Sequence, residues 1–126
     1  MKAARIFKLG DLQMKIMRIL WARGEAAVSD VHADLGKDLA YVTVATMLRR
    51  MEVQCLVKHR VDGRTFVYEA QVAEDAVTQG MVSDLVNRLF VGSVPALVKH
   101  LLSSRDVSRE ELAALEKLIS ERKRKS

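Results

Sequence analysis

Apolar residues recur along this chain with two different periods, and the change between them falls just after Cys55. Before that point the period is helical. In Leu9 to Arg23, LGDLQMKIMRILWAR, Leu12, Ile16, Ile19 and Leu20 share one face, Met17 and Trp21 lie beside them, and Lys15, Arg18 and Arg23 point away. Asp11 fits an N-cap and Gly24 a C-cap. Glu25 to Val28 predicts a short extended piece, after which Ser29 opens a second helix that holds Val31 and Leu35 one turn apart and stops at Gly36. A third helix is predicted over Leu39 to Cys55, LAYVTVATMLRRMEVQC. At 100° per residue it sets Val44, Met47, Leu48 and Met51 on one arc and Val42, Thr43, Thr46, Arg49 and Arg50 on the other. Two helices joined by a few residues, the second with a polar outer face, have helix-turn-helix order.

Beyond Cys55 the pattern alternates. Leu56 to Val61 and Arg64 to Tyr68 flank Asp62-Gly63, which is among the strongest local signals for a β-hairpin. From Ala73 the helical period returns. Glu74 to Phe90 places Val77, Met81, Leu85 and Leu89 on one side, Gly92-Ser93 interrupts, and Pro95 opens a helix with Leu97, Val98, Leu101 and Leu102 inside it. Ser108 with Glu111 forms a capping box ahead of a last stripe, Leu112, Leu115, Leu118 and Ile119. The fold class expected is mainly α: a winged helix-turn-helix domain of three helices plus a β-hairpin wing over residues 1–71, then a three-helix dimerisation domain over residues 72–126. Three short helices have too little core of their own, so their stripes are expected to meet a second copy of the chain through Val77, Met81, Leu85, Leu89, Phe90, Leu97, Leu101, Leu112 and Leu115.

The outer face of the third helix differs from an ordinary solvated one. It pairs hydroxyl-methyl side chains near the helix start with guanidinium groups a turn later. Thr can touch a thymine methyl or a base edge, while Arg reaches guanine or phosphate, so the combination suits the DNA major groove. Val42, Thr43 and Thr46 are the candidate base readers. Tyr41, Arg49 and Arg50 on the helix and Lys58, Arg60 and Arg64 on the hairpin are the candidate phosphate and wing contacts. The partners expected are a double-stranded DNA operator and a second copy of the chain. The alternative is a winged helix that binds protein, with the later helices engaging a different partner.

Composition narrows this further. Of 126 residues, 49% are hydrophobic and only 5% aromatic, with one Pro, which favours helices over an all-β fold. The net charge of +5 is concentrated early, since residues 1–70 hold 12 Lys/Arg against 8 Asp/Glu and residues 71–126 hold 9 against 8. No apolar run approaches the ~18 residues of a membrane span, and the start lacks a signal-peptide pattern, so a cytoplasmic protein without membrane insertion is expected. The single cysteine cannot form an internal disulfide or a multi-cysteine metal cage. Cys55 is expected as a small buried hydrophobe instead of a redox switch. His32, His59 and His100 share no ligand spacing, so neither metal nor cofactor is assigned. Trp21 and Phe66 are read as core anchors. No phosphate-cradling loop, zinc-protease motif or nucleophile grouping points to an enzyme.

Taken in order, LGDLQMKIMRILW, DLAYVTVATMLRRME, DGRTFVYEA, FVGSVPALVKHLL and SREELAALEKLI resemble the penicillinase-repressor (BlaI/MecI) family, with the related copper repressors called CopY. The resemblance runs from Leu9 to about Ile119. It implies a homodimeric winged-helix transcriptional repressor on dyad operators of the TACA/TGTA kind, with Val42, Thr43 and Thr46 at base-facing positions and Arg64 in the basic wing. It also implies a regulatory protease of a membrane sensor system as partner. The family's Asn-Phe cleavage bond corresponds here to His100-Leu101, and the copper repressors' C-terminal cysteine cluster to SERKRKS. Cys55 occupies the place of the family's usual helix-ending Gly, where a Cβ costs on the order of 1 kcal/mol.

Overall fold

In the computed structural model, which describes residues 7–126, the two periods become two kinds of element. The helical stretches before Cys55 form α1 (Asp11–Arg23), α2 (Val28–Leu35) and α3 (Tyr41–Val53). A short β1 (Glu25–Ala27) lies between the first two, and the alternating stretch forms β2 (Val57–Asp62) and β3 (Thr65–Ala70). The rest is α4 (Glu74–Phe90), α5 (Val94–Ser104) and α6 (Arg109–Lys125). The first two helices each start one residue earlier than the sequence suggests, α1 at Asp11 and α2 at Val28. Gly10, not Asp11, is the N-cap of α1, and its N–H donates to the Gln13 side chain at 3.0 Å. Before α2 the Ala27 N–H donates to Asp30 at 3.1 Å.

The sheet has the antiparallel order β1-β3-β2, with Tyr68 facing Ala26 on one side and His59 on the other. Asp62 pairs with Thr65, so the two turn residues are Gly63 and Arg64. Gly63 has φ 63°, the left-handed value that a two-residue turn with glycine first requires. This carries Arg64 to the tip of the hairpin.

α3 ends in a Schellman motif. Leu56 N–H bonds the Met51 carbonyl at 2.9 Å and Cys55 N–H the Glu52 carbonyl at 3.0 Å, while Cys55 itself takes φ 63°. Met51 and Leu56, which flank the motif, are both buried, so the strained corner is held by core residues on either side. Cys55 is exposed, which corrects the expectation of a buried hydrophobe: a residue in the left-handed corner of this motif points its side chain off the surface.

The chain divides into two compact units, residues up to Asp84 and residues from Leu85. In the first, Ile16, Met17 and Leu20 of α1, Val31 of α2 and Val44, Leu48 and Met51 of α3 pack with Val57 and Tyr68 into one core. Burial pushes the Tyr68 phenol above the usual tyrosine range. The unit extends past residue 71 because the first turns of α4 belong to it. Val77, expected on the dimer face, is instead fully buried in this core, and Met81 packs against it. Trp21, an expected anchor, donates its indole N–H to the Val72 carbonyl at 2.9 Å just ahead of α4.

The second unit is made differently. Ser93 caps α5 by accepting from the Ala96 N–H at 3.1 Å, and Ser108 and Glu111 close the expected capping box on α6. Neither helix contains a buried residue. Leu101, Leu102, Leu112, Leu115, Leu118 and Ile119 are all exposed. No single helix among the described residues is long and apolar enough to cross a membrane.

Candidate nucleic-acid interface

Burial of Val44, Leu48 and Met51 fixes the rotation of α3, and the opposite arc is thereby turned outward. Val42 is 67% exposed, and Thr43, Thr46, Arg49 and Arg50 are exposed with it. Nothing in the core needs an isolated exposed valine at the start of a helix. The first turn of α3 carries no acidic residue and its N-cap, Ala40, offers no side chain to the free amides. A surface that meets phosphates gains from both omissions, because the helix N-terminus stays electropositive.

The hairpin adds the second half of the site. Tyr41 and Arg49 of α3 and Arg64 and Thr65 of the hairpin line one open cleft of about 340 Å³, reached also by Ser29 at the start of α2. Arg49, Arg50 and Arg64 form no ion pair with a carboxylate among the described residues, so their charge faces solvent. The other two hairpin cations are engaged. Arg60 grips Glu25 of β1 through two nitrogens, at 2.8 and 3.3 Å, and lies 3.9 Å from Asp62; Lys58 is 3.4 Å from Glu69. Hydrogen bonding and charge hold the Arg60 pKa above and the Glu25 pKa below their ordinary values.

Phe66 corrects another expectation. It is exposed and not in the core, and it stacks on His59 with ring centroids 4.2 Å apart. His59 in turn reaches Glu52 of α3 at 2.8 Å. Neither contact is local, so neither left a mark in the sequence pattern. His32 likewise sits 2.7 Å from the Leu39 carbonyl, bridging α2 to the connection before α3, and its ring meets Tyr41 edge-on at 5.8 Å. In the second unit His100 and Leu101 are exposed on α5, with the His100 ring 5.8 Å from Phe90. Among the described residues no group of three or more His, Cys, Asp or Glu could hold a metal.

Comparison with known proteins places this geometry. The family model described as penicillinase repressor matches residues 9–121. A penicillinase repressor of Bacillus licheniformis is 25% identical over 121 residues, covering 94% of both chains. The transcriptional regulator BlaI of Mycobacterium tuberculosis is 34% identical over 122 residues, covering 94% of this chain and 87% of its own. Among solved structures, the DNA-binding domain of the repressor BlaI superposes with a TM-score of 0.51 at 24% identity, over 59% of this chain and 93% of that domain. That likeness in fold agrees with the winged helix found in the first unit. With the family model spanning nearly the whole sequence, the chain belongs to the penicillinase-repressor family, a DNA-binding transcriptional repressor of winged-helix type and not an enzyme.

Proposed function

We propose that this chain represses transcription in the cytoplasm as a homodimer on dyad operators of the TACA/TGTA kind. In this reading α3 enters the major groove, Val42, Thr43 and Thr46 meet base edges, and Tyr41, Arg49, Arg50 and Arg64 hold the flanking phosphates. Lys58 and Arg60 are already paired with Glu69 and Glu25, which must be exchanged for phosphate before either cation contributes. The observation that carries the reading is an exposed Val-Thr-Thr face on α3 together with Arg49, Arg50 and Arg64, which form no ion pair among the described residues, Arg49 and Arg64 lining one cleft between helix and hairpin. The bare leucine stripes of α5 and α6 support a second copy as their cover, with Leu85, Leu89, Phe90, Leu97, Leu101, Leu112 and Leu115 in the interface.

Two substitutions test the division of labour. Thr46→Ala should weaken operator binding by roughly 1–3 kcal/mol and leave binding to unrelated duplex nearly unchanged, whereas Arg64→Ala should weaken both alike. Intact operator discrimination in Thr46→Ala would remove the base-contact role. Release by proteolysis would fall at His100-Leu101, inside α5, and would require that turn to unwind before a protease could hold it extended.

A further inference from the structure

The recognition helix and the wing must meet one duplex together, so the distance between them is a functional quantity. Much of what holds hairpin to helix is apolar, through Leu56 and Val57. The ion pairs of Lys58 and Arg60 stay within the sheet, on Glu69 and Glu25. His59 does something else. Its Nδ1 lies 2.8 Å from both oxygens of Glu52, on the last full turn of α3. A carboxylate only accepts, so Nδ1 carries the proton and donates. Phe66 stacks on the imidazole at 4.2 Å and 16°, and Tyr68 leans on it at 5.5 Å, so the ring is clamped from the wing side while its polar edge faces the helix. Both partners are about a third exposed or less, with side-chain accessibilities of 27% for His59 and 33% for Glu52, which strengthens the bond relative to one in open water.

Glu52 is also the single acid on α3, one turn beyond Arg49.

We infer that His59 is a positioning residue for operator binding: by tying Glu52 to the hairpin it sets the wing tip, and hence Arg64, at the distance from α3 at which both engage the duplex. The inference rests on the DNA-binding reading above and adds to it a residue that touches no DNA.

The test is a double-mutant cycle between His59 and Arg64 on an operator fragment, with circular dichroism to verify folding. In the wild type Arg64→Ala should weaken binding about tenfold. In His59→Leu, which keeps the contact with Phe66 but has no donor, the same change should cost threefold or less, because the tip is no longer held in place. His59→Asn, whose amide can stand where Nδ1 stood, should restore most of the coupling. Glu52→Gln, which attacks the tie from the helix side, should also reduce it. Equal Arg64→Ala losses in wild type and His59→Leu would overturn the inference, as would His59→Leu outperforming His59→Asn, the signature of mere packing. A wild-type protein that fails to bind DNA would sink the DNA-binding reading itself, and this inference with it.

Discussion

α1 and α6 make an instructive pair. Each has an apolar stripe and a defined start, yet α1 buries Ile16, Met17 and Leu20 completely and α6 buries nothing. The difference lies in what stabilises each helix. α6 satisfies its own ends: a reciprocal Ser108–Glu111 capping box, two acids in the first turn, and Arg122, Lys123, Arg124 and Lys125 in the last turn opposite the negative end of the dipole. α1 and α3 lack side-chain caps of that quality and depend on tertiary packing around Leu48 and Tyr68. The first unit therefore carries its core within one chain, while α5 and α6 of the second contain no buried residue, the feature on which the proposed dimer rests.

That contrast can be broken at either end. The largest effect expected is Leu48→Ala, which opens a cavity where no other chain can fill it: about 2–5 kcal/mol lost from the first unit by denaturant titration, at any protein concentration. Leu115→Asp should act in the opposite manner. It should leave the melting of the first unit unchanged, halve the mass seen by light scattering, and weaken dyad-operator binding about a hundredfold while binding to a single half-site persists. A Leu115→Asp protein that remained a dimer would place the interface elsewhere. Smallest is Cys55→Gly, which relieves a left-handed residue at the cost of only a weak 3.9 Å contact from Sγ to the Val53 carbonyl, and should raise the first unit's stability by about 1 kcal/mol, with no effect on oligomeric state.

The first three helices and the hairpin were legible because their apolar spacing and their Gly and Asx punctuation are local signals. α4 shows where such signals run out. Its spacing is continuous from Val77 to Leu89, but periodicity reports that a face is covered and not by what, and so Val77 was assigned to a dimer when it closes the monomer's own core. Phe66 misled for a related reason: an alternating strand has two faces, and the outer one is occupied here by an imidazole stacked on that ring. On the DNA side, the outward arc of α3 could be read from the sequence. What could not be read is which cations are already engaged, because Arg60 finds Glu25 across 35 positions of chain.

That pairing changes the ionic character of the head. Binding of a basic surface to a duplex draws much of its driving force from counterions set free from the phosphates, with log affinity falling by about 0.9 per neutralised phosphate for each decade of salt. A cation that surrenders one carboxylate to take up one phosphate leaves a bare anion behind, which collects an ion of its own. Arg60 and Lys58 are in that position, and Arg49, Arg50 and Arg64 are not. With the phosphate contacts proposed above, each copy should thus release about three ions, not the five that its five candidate phosphate-contacting cations suggest. Its grip on DNA will then depend less on ionic strength, and more on groove contacts, than the charge of the chain implies.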